Sequence, residues 1–181
     1  MPFPRDAVLK DGMPVQLRLV CQPDLAPLRA LYDVIVAEGA SYPHDRALSE
    51  AEFLDYWVTG KFTVVACPQT CYKGESTDPI AGAFYLKPNW PGRAGHVANA
   101  GFIVAPSWRR RGLARLLGTT MLDCANEQGY RSVIFNLVFA DNHPARSLWQ
   151  QLGFEEVARL PSVVLKDGAY QDALVMFRSL M

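Results

Sequence analysis

The chemistry this chain offers is concentrated in "VAPSWRRRGLARLLG" (104–118). Arg109, Arg110 and Arg111 stand directly before Gly112, with Leu113, Ala114 and Arg115 just beyond. An apolar run ends at Val104 and a helical pattern begins at Gly112, so the arginines mark a strand-to-helix turn. Such a turn aims several unbonded backbone N–H groups at one point, and the helix dipole adds positive potential there. That combination binds anions, phosphate above all. Glycine has no Cβ and lets a phosphate come close to the backbone. Guanidinium forks match phosphate oxygens two at a time. The stretch therefore predicts a cradle for a phosphorylated ligand, with a pyrophosphate as the best fit. Taken without its context, an arginine triplet has a plainer reading, a basic helix start that faces water. Neither G-x-x-x-x-G-K-[ST] nor G-x-G-x-x-G occurs in the chain. P-loop nucleotide binding and the dinucleotide fingerprint are thereby excluded.

Polar residues inside apolar strands are the second feature. Asn99 interrupts "HVANAGFIV" and Asn136 interrupts "VIFNLVF". Burying an amide without partners costs about 1–3 kcal/mol. Singly, each reads equally well as a satisfied core amide; together they suggest a pocket for a small polar molecule. Cys67 and Cys71 form C-x-x-x-C in "CPQTC", with no second Cys/His pair at finger spacing. No metal is expected, and the four cysteines read as reduced thiols.

These residues need elements to position them. Val15–Val20 alternates as a strand. "DLAPLRALYDVIVAEG" repeats its apolar residues at helical spacing, with Asp24 as its cap and Gly39 at its end. "SYPHD" is a loop, because Pro43 pushes Tyr42 out of helical geometry. "SEAEFLDYWVTG" is a short helix opened by a Ser49/Glu52 capping box. "FTVVAC" is a strand, and Cys67–Pro79 reads as a hairpin loop. "IAGAFYLKP" and "HVANAGFIVAP" are strands joined by the turn "NWPGRAG". A helix follows from Gly112 to Gly129. "SVIFNLVFA" is a strand covered on both faces. "NHPARSLWQQLG" is a second helix, and "FEEVARLPSVVL" and "DALVMFRSLM" close the chain as strands. The order β-α-α-β-β-β-α-β-α-β-β predicts a single-domain α/β fold over 1–181, with a mixed central sheet flanked by helices.

Bulk properties narrow the classes. The chain has 181 residues, and its 18 Lys plus Arg balance 18 Asp plus Glu. A broad nucleic-acid-binding surface normally needs a basic excess. No apolar run approaches the ~20 residues of a membrane span. The first residues lack the basic-then-apolar layout of a secretory signal, so a cytoplasmic location is the default expectation.

"RRRGLA" fits R/Q-x-x-G-x-G/A, with Arg109, Gly112 and Ala114 at the defining positions. "NHPARSLWQQLGFEEV" then supplies Asn142, Ala145, Leu148–Trp149 and Gly153–Phe154. Both motifs, in this order, resemble the two signatures of the GCN5-related N-acetyltransferases. The resemblance implies acetyl-CoA as cofactor, with the amides and side chains of Arg110–Arg115 on its pyrophosphate. It implies that Phe102, Ile103 and Val104 pair with the pantetheine arm as an added strand. Asn142 would bond that arm, beside Ala145 and Trp149; a plain helix N-cap is its other role. Many family members carry a tyrosine where Trp149 stands, and an indole cannot protonate a thiolate. "YPH", "FLDYW", "GAFYLKPNWPGRAGHVANAGFIV" and "GYRSVIFNLVFADN" are similar to the yeast proline-analogue N-acetyltransferases. In that group asparagines matching Asn99 and Asn136 contact the acceptor. Glu38, Tyr42, His44 and Tyr85 are then candidates to line its pocket. The implied activity is transfer of an acetyl group to a small amine, with detoxification as the implied setting. Acetylation of a protein terminus or lysine, and acyl-CoA sensing without catalysis, remain open alternatives. A homodimer is compatible with the resemblance.

Overall fold

A computed structural model describes residues 3–69 and 79–181. The central part of the expected hairpin loop, Cys71 included, lies outside the described residues. The strands are β1 (Arg5–Val8), β2 (Pro14–Leu19), β3 (Phe62–Pro68), β4 (Gly82–Pro88), β5 (Val97–Val104), β6 (Ser132–Phe139), β7 (Glu155–Lys166) and β8 (Ala169–Ser179). The helices are α1 (Leu25–Ala37), α2 (Glu50–Trp57), α3 (Leu113–Glu127) and α4 (His143–Gln151). Eight strands form one sheet in the order β1-β2-β3-β4-β5-β6-β8-β7. The expected α/β class and element order hold, with one strand added. β1 is four residues, mostly exposed, and too short and polar to show a period.

Every strand pair is antiparallel except β5–β6. That pair is joined only at Val97↔Ser132 and Ala98↔Val133, after which the two strands diverge. Beyond the last pair, the Asn99 side chain donates to the Ile134 carbonyl (2.9 Å) in place of a backbone bond. On its other side β6 slips register against β8 between Phe135 and Val138. A bulge of this kind bends a strand and re-aims its side chains. It opens a cleft inside the sheet.

Strand parity shows which helix covers which face. A Cβ on Gly82 would stand 3.1 Å from Leu117 and 3.4 Å from Leu113 of α3. Tyr85, of opposite parity, packs edge-on to Trp57 of α2 at 5.1 Å. So α3 and α2 lie on opposite faces. α4 joins α3, since Leu152 and Trp149 approach Gly118. α1 joins α2 through Tyr32 and Trp57. The largest buried side chains, Trp57, Tyr32, Phe53 and Phe84 among them, fill the space between these layers and the sheet.

Local signals hold where they rest on neighbouring residues. Ser49 Oγ accepts from the Glu52 amide (3.3 Å) while Glu52 accepts from the Ser49 amide (2.8 Å), the expected capping box. Asp24 departs from its expected role. It occupies the N-cap position of α1 but makes no side-chain cap bond. Its carboxylate holds Arg18 at 2.5 and 2.7 Å and accepts from the Cys21 amide at 2.8 Å. A buried carboxylate beside a guanidinium gains more from that fork than from a neutral amide. No helix among the described residues is long and apolar enough to cross a membrane. Among the described residues no cluster of His, Cys, Asp or Glu could hold a metal ion.

Candidate functional site

The diverging strands frame a cavity of about 680 Å³. Its walls come from β5, β6, the segment after α1 and the start of α4. Asn99, Gly101, Phe102 and Val104 line one side; Phe135, Asn136 and Phe139 line the other. On one face of the sheet, Trp149 lies 4.8 Å from Phe102 and 4.7 Å from Phe135, centroid to centroid. On the opposite face stand Tyr42, Tyr56 and Tyr85.

The arginine turn sits at one end. Arg109 ends a short 3-10 turn, Arg110 takes φ 65°, and Gly112 takes φ 89°. Gly112 is the N-cap residue of α3, and no side chain caps that helix. Among the described residues no hydrogen bond takes the amides of Gly112, Leu113, Ala114 or Arg115. An uncapped, accessible helix start of this kind fits an anionic ligand. Ala114 borders the cavity directly.

The arginines do not act as one block. Arg109 pairs with Glu38 at 2.7 Å, and both border the cavity. Arg111 pairs with Asp11 at 3.1 Å and lies over the Trp108 ring at 5.1 Å. Arg115 donates to the Gln151 side chain at 2.8 Å. Arg110 is exposed and, among the described residues, has no carboxylate partner. Gly112 also differs in detail from the expectation. The stem of Lys10 covers the side where its Cβ would project, with Cγ 3.2 Å from that point.

Asn142 does cap α4, accepting from the Ala145 amide at 3.1 Å. Its Nδ2 donates to the Ala40 carbonyl at 3.0 Å, which fixes the segment after α1 against α4. Tyr42 is buried and donates to the Phe102 carbonyl at 3.0 Å. The Arg131 amide bonds the His96 carbonyl, so even-numbered backbone groups of β5 face β6. Tyr42 therefore binds the edge of β5 that faces the cleft. Burial pushes its phenol well above the usual range, as it does for Tyr85, so both stay neutral and hydrogen-bonded.

The expectation of two buried asparagines is corrected. Asn99 is half-buried, and Asn136 is exposed. The β6 bulge turns Asn136 toward the mouth of the cleft, where its Nδ2 donates to Asn89 Oδ1 at 2.6 Å. Both asparagines still line the same cavity. β6 is thus not covered on both faces at this point. Glu38, Tyr42 and Tyr85 also border the cavity.

His44 does not border this cavity; it lines a smaller adjoining cleft. Its Nδ1 lies 2.6 Å from the buried Tyr32 hydroxyl, and its ring packs edge-on to Tyr56. Burial first, and then the Arg46 charge, lower its pKa below the ordinary value. The neutral imidazole is thus the folded form, and its contribution to stability is present above pH ~6.5. It is lost as pH falls through the lowered folded value. Comparing urea midpoints of the wild type and His44→Gln at pH 7.5 and 5.0 should show a smaller acid loss in the variant, a test set by the ordinary histidine pKa of about 6.5. Equal losses would mean that His44 is not the titrating group.

Tyr56, Lys87 and Asn89 join the site without having been expected there. Lys87 has a signal in the sequence: in β4 it shares the parity of Tyr85 and pairs with Asn99, so period two puts all three on one face. Among the described residues no carboxylate pairs with it, and it borders the cavity. Asn89 lies in a turn and has none.

Comparison with known proteins agrees with this geometry. The acetyltransferase (GNAT) family model matches residues 28–154. N-acetyltransferase aca1 of Schizosaccharomyces pombe is 36% identical over 141 residues, 72% of this chain and 66% of that protein. L-amino acid N-acetyltransferase AaaT of Escherichia coli is 34% identical over 86 residues, 48% of this chain and 53% of that protein. The chain thus spans roughly two thirds and half of these relatives. A GCN5-related N-acetyltransferase from Kribbella flavida superposes with TM-score 0.83 at 31% identity, covering 92% of this chain and 98% of that one. The fold is also that of a Sinorhizobium meliloti phosphinothricin acetyltransferase solved with acetyl-CoA, at TM-score 0.81, 22% identity, and 92% and 88% coverage. A strand pair that parts beside an uncapped helix start, in a chain matched from 28 to 154, makes this protein a member of the GNAT acetyltransferase family, whose enzymes use acetyl-CoA.

Proposed function

We propose that the protein transfers an acetyl group from acetyl-CoA to the amine of a small polar molecule, of the amino acid or proline-analogue class. The observation that carries this reading is the polar end of the cavity. There Asn99, Asn136 and Lys87 stand together, with no carboxylate on Lys87 among the described residues. Two carboxamides and an ammonium suit an acceptor that bears its own carboxylate. The similarity to AaaT, named for L-amino acids, points the same way. A cytoplasmic site of action fits the need for acetyl-CoA.

Bound acetyl-CoA supplies an activated thioester carbonyl. The remaining work falls to the chain. Gly112–Arg115 amides and Arg110 hold the diphosphate, and the cleft-facing edge of β5 at Phe102 and Val104 aligns the pantetheine arm. Asn99 and Asn136 orient the acceptor; the Phe102, Phe135 and Trp149 rings exclude water on one side. The carboxylates bordering the cavity, Glu38 and Asp141, are engaged by Arg109 and by Lys166 at 3.0 Å. The tyrosines are held neutral by burial. No strong base is aimed at the acceptor, so its amine arrives neutral or loses its proton through water.

Replacing Asn136 by alanine should raise the acceptor KM about tenfold, the cost of one lost polar contact, with acetyl-CoA affinity unchanged. Steady-state kinetics over amino acids, proline analogues and peptides, with release of CoA as the signal, checks it. Weakened acetyl-CoA binding with an unchanged acceptor KM would move Asn136 out of the acceptor site. Turnover of peptides alone would replace the small acceptor by a protein, and acetyl-CoA binding without any turnover would replace catalysis by sensing.

A further inference from the structure

The β1–β2 hairpin, whose first strand carries no periodic signal in the sequence, is docked on the arginine turn. Its turn closes through Leu9 and Met13 (2.9 Å) with Gly12 in the left-handed region. The Lys10 amide donates to the Arg111 carbonyl at 3.2 Å, and Asp11 holds the Arg111 guanidinium at 3.1 Å. These contacts set the Lys10 side chain across Gly112. Its Cγ, Cδ and Cε lie 3.2, 3.4 and 3.5 Å from the point where a Gly112 Cβ would stand. The ammonium is one bond beyond Cε, close to the residue that opens α3. No carboxylate pairs with it among the described residues, because Asp11 is taken by Arg111. Of the arginines at the turn, Arg109 and Arg111 are likewise taken, by Glu38 and Asp11.

We propose that Lys10 is a binding residue for the diphosphate of acetyl-CoA, held over the α3 turn by the β1–β2 hairpin. The proposal rests on acetyl-CoA as the cofactor, which the family match supplies, while Lys10 itself lies before residue 28, where that match begins. The turn brings amides and a dipole, while two of its guanidinium charges are neutralised at close range. A diphosphate carries more than one negative charge, and a mobile ammonium supplies the missing compensation without demanding a fixed geometry. Gly112 then serves two purposes: its φ of 89° starts the helix, and its bare Cα gives the lysine stem a track.

The test is calorimetric titration of acetyl-CoA into the full-length wild type, Lys10→Met and Lys10→Arg, with thermal unfolding of each as the folding control. Methionine keeps the stem over Gly112 and removes only the charge. Lys10→Met is expected to bind about tenfold more weakly, as for a lost charge-assisted hydrogen bond, and Lys10→Arg within about twofold of wild type. The gap between wild type and Lys10→Met should narrow as salt rises. The loss should be the same for 3′-dephospho-acetyl-CoA. Wild-type affinity in Lys10→Met overturns the proposal. A loss that vanishes with the dephospho ligand overturns the diphosphate assignment in favour of the 3′-phosphate. Absence of acetyl-CoA binding by the wild type would instead sink the cofactor reading itself.

Discussion

Gly112→Val should weaken acetyl-CoA binding by about 100-fold while lowering thermal stability by only a few degrees. Two effects combine. A left-handed residue with a side chain is strained by about 1–3 kcal/mol, and a β-branched one fares worst. Gly112 holds φ 89° at the N-cap of α3. The added carbons also meet the Lys10 stem, whose nearest atom is 3.2 Å from the new Cβ. That stem is flexible and exposed, so it swings aside at little cost. The turn relaxes toward negative φ, and the free amides of Gly112–Arg115 no longer converge on one anion. Titration calorimetry reads the affinity and thermal unfolding reads the fold. An unchanged Kd would place the diphosphate elsewhere.

Gly101→Ala should reduce acceptor kcat/KM by about 100-fold and destabilise the fold by about 1–3 kcal/mol, the range of an overpacked core. Gly101 pairs with Tyr85 across β4 and β5. A Cβ there would stand 2.4 Å from Tyr85 Cε1 and 2.9 Å from its hydroxyl. The ring cannot step aside freely, since Trp57 and Tyr56 flank it at 5.1 and 6.0 Å. It must tilt into the cavity between β5 and β6, the proposed acceptor site. Acetyl-CoA affinity should change by less than about threefold, because odd-numbered backbone groups of β5 face β4 rather than the cleft. Tyr85→Leu in the same chain relieves the clash, so the double variant should be more stable than Gly101→Ala. A double variant no more stable than Gly101→Ala would show that Tyr85 is not the obstacle.

Much of the fold is legible in the order of the residues. The periods of two and 3.6 place seven strands and four helices, because each period records only which face of an element is buried. Ser49 with Glu52, and Asn142 with Ala145, cap their helices as their spacing implies, since a cap is satisfied within three residues. The arginine turn has the composition of an anion site, and its amides are indeed uncapped. The family follows from two short motifs whose backbone geometry is local.

What the residues alone specify, then, is seven of the eight strands, the four helices, the composition of the arginine turn and the family. Tertiary structure decides how the side chains are used. Arg109 faces Glu38 and Arg111 faces Asp11 across long stretches of chain, and no periodicity records such distant pairings. Asn136 is exposed because β6 slips against β8, which depends on how two strands fit rather than on either alone. Lys10 reaches Gly112 because a four-residue strand folds back onto the turn, a contact invisible to any window of neighbouring residues. Local rules capture what each backbone segment prefers by itself; long-range contacts, stabilised only once the sheet has formed, choose each charge's partner.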